Sequence, residues 1–154
     1  MKLSKNLSLS EVTKSNTAKR LGIDNTPSQE VIENLKQTAE KIFQPIREYF
    51  DCPIHVSSGY RSPELNQAIG GSRTSEHCLG FALDLDQDGM DSPITNADIF
   101  NYAHQYLKFN QLIWEFGDDE NPGWVHISYQ EGKNRNQVLR AVKIDGRTTY
   151  LPFG

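Results

Sequence analysis

Apolar residues follow a helical spacing in the first third of the chain. Capping signals at Ser8 and Thr26 each open a run in which apolar residues recur every three to four positions. The first run predicts a short helix that ends at Gly22, and the second predicts the longest helix, kinked near its end by Pro45. The amino-terminal part, 1–50, is therefore predicted to be helical. Similar signals predict later helices over 62–70 and 95–108.

Elsewhere apolar and polar residues alternate, which is the pattern of half-buried strands. Strands are predicted over 54–58, 81–86, 111–117, 124–129, 138–144 and 147–151. Asp145-Gly146 predicts a tight turn between the last two, so 138–151 is expected to be a carboxy-terminal hairpin. Helices followed by a mainly antiparallel sheet predict an α+β fold, and the length suits a single domain over 1–154.

A candidate metal site lies in the stretch 75–84. His77 precedes a strand on which Asp84 faces the polar side, and Gly80 between them lets the backbone turn back. A distant third ligand is His126, which alternates with two apolar neighbours and so faces away from them. Two histidines and one carboxylate, with a position left for water, are typical of a catalytic zinc site.

Three separated motifs in the core region 54–128 carry a resemblance to a known family. They are Ser58-Gly59-Tyr60-Arg61-Ser62, the pattern Ser-x-His-x-x-Gly-x-Ala-x-Asp at 75–84, and Trp124-Val125-His126. Together they resemble the D-alanyl-D-alanine carboxypeptidase family of zinc peptidases (family M15), which includes vancomycin-resistance dipeptidases and phage endolysins. The segment 7–50 is similar to the same part of small, phage-associated members. The resemblance implies helices on a hedgehog/DD-peptidase-like sheet, Zn²⁺ as the cofactor, and peptidoglycan stem peptides as the substrate.

A peptidase also needs a general base beside the attacking water. Well-known members of the family place an acid three positions before the last histidine, where this chain has Gly123. Glu115 is the replacement we favour, because strand alternation puts it on the face of His126. This interpretation requires Glu115 to lie opposite His126. The residues expected on the other, core-facing side are Leu112, Trp114 and Phe116, and a one-residue slip would make the next candidates Asp118, Asp119 or Glu120.

Two further residues are assigned by the resemblance. Arg61 corresponds to the arginine that engages substrate and polarises the scissile carbonyl, and a guanidinium suits a terminal carboxylate or a developing oxyanion. Ser75 matches the motif serine and is expected either to hydrogen-bond substrate or to cap its own loop.

Composition limits the possible partners. The chain has 36% hydrophobic and 23% charged residues and a formal net charge of −4, which suits a soluble globular protein and leaves no basic footprint for nucleic acid or an anionic membrane. No secretory signal or membrane-spanning run is visible. We expect a monomer made in the cytoplasm, with access to the cell wall through lysis or a phage particle.

A second metal motif overlaps the first. Residues 84–89 match the first six positions of a calcium-binding EF-hand loop, but Thr95 occupies the twelfth position, where a glutamate belongs. Calcium binding by Asp86 and Asp88 is therefore only a minor structural alternative to a solvated acidic turn.

The sequence thus predicts a zinc metallopeptidase that acts on stem peptides. His77, Asp84 and His126 would hold the metal, Glu115 would move the proton, and Arg61 would steady the substrate. Removal of a terminal D-alanine and cleavage inside the stem both remain open. The alternative is a catalytically inactive wall-binding or virion-structural module, which would have no need of a base beside the metal.

Overall fold

The computed structural model describes residues 1–153. The α-helices are α1 (Leu9–Thr13), α2 (Asn16–Leu21), α3 (Gln29–Thr38), α4 (Gln44–Phe50), α5 (Pro63–Ala68) and α6 (Asn96–Tyr106). A π-helical turn, Ala39–Phe43, joins α3 to α4, and a 3₁₀ helix covers Glu76–Leu79. Across 1–153, none of these helices has the length and apolar character needed to cross a membrane.

Two short helices, α1 and α2, replace the single amino-terminal helix that the spacing predicts. Lys14 has an extended backbone, with ψ of 131°, and ends α1. Ser15 then caps α2, because its hydroxyl accepts a hydrogen bond from the Ala18 N–H at 3.1 Å. Gly22, in the left-handed conformation, ends α2 at the predicted position.

The long predicted helix is present but is interrupted. It is capped by Ser28 rather than Thr26, since the Ser28 hydroxyl accepts from the Val31 N–H at 3.3 Å. The helix widens to the π form over Ala39–Phe43, just before Pro45. Proline has no N–H to continue the helical ladder, so the predicted kink takes the form of a wider turn ahead of it.

Eight strands form two sheets within residues 1–153. The strands are β1 (Lys2–Ser4), β2 (Leu7–Ser8), β3 (Val56–Ser58), β4 (Ala82–Leu85), β5 (Gln111–Glu115), β6 (Trp124–Ser128), β7 (Gln137–Ile144) and β8 (Arg147–Pro152). The pair β1–β2, which the pattern does not predict, stands apart from a six-stranded sheet of order β3-β4-β6-β5-β7-β8. Only β5 and β7 pair in parallel within this sheet. The α+β class with a mainly antiparallel sheet is confirmed.

The register of the six-stranded sheet separates an apolar face from a polar one. Leu112 pairs with Ile127 and Trp114 with Val125, and all four side chains belong to the hydrophobic core. Helices α3, α4 and α6 add the core residues Leu35, Ile46, Ile99 and Phe100. Because side chains alternate along each strand, the intervening residues face the opposite side of the sheet.

Strand β5 is shorter than predicted, and one core assignment is wrong. The strand ends at Glu115 because Phe116 and Gly117 both have positive φ, +57° and +68°. The left-handed residue interrupts the alternation, so Phe116 does not join the core. Its ring instead packs against Trp124, with centroids 5.4 Å apart.

Candidate metal centre and substrate cleft

A tight turn brings His77 to the polar face of the sheet. Ser75 caps the 3₁₀ helix, and its hydroxyl accepts a hydrogen bond from the backbone N–H of His77 at 3.2 Å. Gly80 then reverses the chain with φ of +81°, and a Cβ there would lie 2.8 Å from the carbonyl oxygen of Val31. Only glycine fits this position, and it returns the chain into β4 with Asp84 beside His77.

Three predicted ligands meet on the polar face. Asp84 on β4 pairs directly with His126 on β6, so their side chains point the same way. Asp84 Oδ1 lies 3.2 Å from His77 Nε2 and 3.2 Å from His126 Nδ1. The two imidazole rings meet edge to face, with centroids 5.2 Å apart.

The two histidines turn opposite ring nitrogens toward Asp84. The Nδ1 of His77 lies 2.7 Å from the carbonyl oxygen of Gly59. Since a carbonyl only accepts, Nδ1 carries the hydrogen there and Nε2 is left for a metal. His126 is reversed, because its Nδ1 faces Asp84 while its Nε2 lies 3.7 Å from Glu76 Oε1.

Glu76 is a component of the site that the sequence reasoning missed. Its Oε2 accepts hydrogen bonds from the side-chain amides of Asn110 and Gln130, both at 2.8 Å. Its Oε1 and the facing His126 Nε2 are both buried without a hydrogen-bond partner. Burial opposes ionisation, but His126 and the two amides together lower the pKa of Glu76 to about 2. The carboxylate is therefore charged and points at the outer nitrogen of His126.

The buried carboxylates and imidazole rings at the centre stabilise each other's charged forms. Burial opposes ionisation of Asp84, yet the adjoining His77 and His126 rings hold the pKa of its carboxyl below the ordinary value. Burial likewise opposes a charge on His126, but the adjoining carboxylates of Asp84 and Glu76 raise its pKa to about 9. Without a metal, protons therefore balance the negative charge of the carboxylates, which is a role that a cation can take over.

The donor set fits a zinc ion. One ligand atom from each of His77, Asp84 and His126 lies within 4.8 Å of the others, and no second cluster of three such residues occurs among residues 1–153. Imidazole nitrogen and carboxylate oxygen are ordinary zinc ligands. The calcium alternative gains no geometric support. Asp86 Oδ1 already accepts from the Asp88 N–H and the Asn96 amide, both at 3.0 Å.

Arg61 and Ser75 border the centre. The Arg61 backbone N–H donates to the His77 carbonyl at 3.2 Å, and its guanidinium donates to the Ser75 hydroxyl at 3.3 Å. The Arg61 Nε is buried without a partner. Ser75 therefore caps its own loop and also holds the guanidinium at the edge of the cleft.

Glu115 lies on the same face as His126 but not directly opposite it. Ile113 occupies that position, and Glu115 pairs with Trp124 instead. The required pairing is therefore wrong by two residues, while the face is as expected. Glu115 is only 6% exposed. Burial, opposed by His126 and assisted by the charge of Asp84, raises its pKa to about 7.

The three acids that would have replaced Glu115 after a register slip lie in the exposed turn between β5 and β6. Asp118 accepts from the N–H groups of Glu120 and Asn121, both at 2.9 Å, and Asp119 pairs with Arg140. None of the three lines the cleft. Of these four acids, Glu115 is the one that lines the cleft with the three predicted ligands.

A cleft of about 650 Å³ opens above the three predicted ligands. Arg61, Ser75 and Glu115 line it together with His77, Asp84 and His126. Its far wall comes from the carboxy-terminal hairpin, which the sequence reasoning did not connect with the site. The hairpin residues that line the cleft are Gln137, Leu139, Thr148 and Tyr150.

Comparison with known proteins agrees with this geometry. The sequence pattern of the family described as peptidase M15 matches residues 5–128, which include all three ligands together with Arg61 and Glu115. No protein with curated annotation matches the chain. Since the matched segment covers well over half of the chain and its fold places the ligand set in an open cleft, the protein belongs to the peptidase M15 family.

Proposed function

We propose that this protein is a zinc-dependent peptidase that hydrolyses peptide bonds in peptidoglycan stem peptides. The observation that carries the proposal is the clustering of His77, Asp84 and His126 at the floor of an open cleft in a chain of a peptidase family. When bound by these residues, zinc lowers the pKa of water toward about 7 and polarises a carbonyl.

Glu115 is the general base in this proposal. Its buried carboxyl has a pKa of about 7, so at neutral pH it can both accept and return a proton. The carboxylate removes a proton from the attacking water and passes it to the nitrogen of the leaving amine. It lies on the cleft face, on the strand next to that of His126, and lines the same cleft as the three predicted ligands.

Arg61 binds the substrate in this proposal, because it lines the same cleft as Glu115. Its guanidinium is held by Ser75, and its Nε has no partner within the protein. A guanidinium held at the edge of the cleft suits either the carboxylate end of a peptide or the oxyanion that forms at the scissile carbonyl. The first use favours a carboxypeptidase and the second is also compatible with an endopeptidase.

The burial of Glu115 also favours an enzyme over an inactive binding module. A carboxyl whose pKa is raised by burial is unfavourable for folding at neutral pH. A domain that only binds cell wall has no use for such a group beside its metal, whereas a hydrolase requires one. We therefore place the inactive module second.

Mass spectrometry of defined muropeptides incubated with the zinc-loaded protein tests the proposal. Loss of a single terminal alanine identifies a carboxypeptidase, and a larger fragment identifies an endopeptidase. We expect turnover to disappear after chelation and to fall at least about a hundredfold in Glu115→Gln, because a general base contributes roughly that much or more.

The matched control is Glu120→Gln, which removes an acid from the adjacent turn without changing the cleft lining. It should retain full turnover, and zinc content should be equal in both variants. No product from the wild type at stoichiometric zinc would overturn the peptidase proposal. Undiminished turnover by Glu115→Gln would leave the enzyme but remove Glu115 from its mechanism.

A further inference from the structure

One wall of the cleft lies outside the segment that matches the family. The match ends at residue 128, whereas the hairpin of β7 and β8 spans 137–152. Strand β7 pairs in parallel with β5, the strand that carries Glu115, and β8 pairs with β7 on the outside. The hairpin therefore extends the sheet beyond Glu115, on the edge of β5 opposite to β6.

The strand register aligns Tyr150 with Glu115. Trp124 pairs with Glu115, Glu115 pairs with Ala141, and Ala141 pairs with Tyr150. Directly paired residues point to the same side of a sheet, so these four side chains form one row across the polar face. Trp124, Glu115 and Tyr150 all line the cleft.

Ala141, which has a small side chain, lies between Glu115 and Tyr150 in this row. Neighbouring strands lie about 4.8 Å apart, so two strand spacings, about 10 Å, separate the backbones of these residues. Ala141 is completely buried although it sits on the cleft face, while Tyr150 remains 53% exposed. A tyrosine lying across its alanine partner, with one side of the ring open to the cleft, accounts for both values.

We propose that Tyr150 is a substrate-contacting residue, whose ring walls the cleft and whose hydroxyl donates a hydrogen bond to a backbone carbonyl of the bound peptide. The inference rests on the proposed peptidase function and adds to it a binding residue from outside the family match. Partial burial and the nearby charges of Glu115 and Asp84 raise the pKa of Tyr150, which keeps the phenol protonated and able to donate.

The test compares Tyr150→Phe and Tyr150→Ala with wild type in steady-state cleavage of the same muropeptide by the zinc-loaded, full-length protein. Calorimetric titration of the peptide into the metal-free proteins gives an affinity that does not depend on turnover. Tyr106→Phe is the matched control, because Tyr106 lies on α6, is 61% exposed and does not line the cleft.

We expect Tyr150→Phe to raise KM about fivefold with kcat nearly unchanged, as for the loss of one hydrogen bond made equally in ground and transition states. Tyr150→Ala should raise KM further, and Tyr106→Phe should match wild type. If wild type cleaves the peptide and Tyr150→Phe has wild-type KM and affinity, the inference is overturned and the peptidase function stands.

If wild type binds the peptide without cleaving it, and Tyr150→Phe weakens that binding, the peptidase function fails while the contact stands. If wild type neither binds nor cleaves the stem peptide, the proposed function and the role of Tyr150 are both overturned. A drop in kcat alone, with KM and affinity unchanged, would also overturn the binding role.

Discussion

The two faces of the six-stranded sheet are built from the same strands but are stabilised differently. On β5, Leu112 and Trp114 face a helix-covered core, whereas Glu115 faces the cleft. The apolar face gains free energy from burial, in proportion to the area removed from water. The cleft face instead buries charged groups, such as Asp84, whose burial is unfavourable unless partners compensate it. The two histidines compensate the charge of Asp84, whereas the raised pKa of Glu115 shows that its charge is not compensated. Phe100→Ala on the apolar face and Glu115→Gln on the cleft face should therefore have effects of opposite sign on stability.

The largest effect is expected on the apolar face, from Phe100→Ala. Phe100 is completely buried and packs on Trp114 and Phe153, with ring centroids 5.1 and 4.7 Å away. The cavity left behind should lower the free energy of unfolding by about 3–5 kcal/mol, measured by urea denaturation. Tyr106→Ala on the same helix is the control and should have a much smaller effect, because Tyr106 is exposed. A loss below about 1 kcal/mol for Phe100→Ala would mean that this face is not the main source of stability.

On the cleft face, Glu115→Gln should stabilise the metal-free protein at alkaline pH. The pKa of Glu115 is about 7 in the folded protein against 4.5 as the reference value. The folded state thus holds this proton more tightly, so the associated stability is present below about pH 4.5 and is lost as pH rises through 7. Glutamine does not titrate. The stability of Glu115→Gln relative to wild type should therefore rise by roughly 2–3 kcal/mol between pH 4.5 and 8.

Urea denaturation at several pH values, in chelator, measures that difference. His126 also titrates in this range, and its raised pKa makes the folded state lose stability as pH increases toward 9. The charge of Glu115 contributes to the raised pKa of His126, so the measured difference includes the interaction between the two groups. If the free energies of unfolding of the two proteins change equally with pH, the pKa of Glu115 is not raised in the folded protein.

The alternation of residues predicted which side chains face the cleft, but not which residue of the neighbouring strand each one pairs with. A period of two places Glu115 and His126 on one face whatever the exact pairing. The pairing itself is set by the connection between β5 and β6, which begins with the left-handed residues Phe116 and Gly117. A positive φ at a phenylalanine has no local sequence signal, so both the register and the place of the Phe116 ring were predicted wrongly.

Contacts between segments that are distant in the chain could not be predicted from the sequence either. The grouping of His77, Asp84 and His126 could be predicted because histidine and aspartate stand out at the polar positions of apolar strands. Glu76 adjoins His77, yet its amide partners lie 34 and 54 residues away, so nothing local distinguishes it from a solvated acid. The hairpin was predicted as an element, but its parallel pairing with β5, and hence Tyr150 in the cleft, depends on the folded topology.

Glu76→Gln should weaken zinc binding while leaving the apolar face intact. A charged carboxylate facing His126 Nε2 favours the tautomer with the hydrogen on that nitrogen, which leaves Nδ1 free beside Asp84. Loss of such a partner typically reduces metal affinity 10–100-fold, or about 1.4–2.7 kcal/mol. Competition with a chromophoric chelator measures the affinity directly. Glu48→Gln, an exposed acid on α4, is the control. Equal zinc affinity in Glu76→Gln and wild type would reduce Glu76 to a structural anchor of its loop.

The smallest effect is expected just beyond the end of β4, where the acidic turn leaves the cleft face. Asp88 is exposed, and the Asn121 amide is 3.4 Å from its carboxylate. Asp88→Asn should change Tm by no more than about 2 °C, as is usual for surface substitutions. Millimolar calcium should shift the Tm of neither protein, whereas zinc should raise the Tm of both if it binds the folded centre as proposed. A calcium-dependent rise in wild type that Asp88→Asn abolishes would show that the acids after β4 form a metal site of their own. The metal-binding part of this face would then extend past β4 into the acidic turn that follows it.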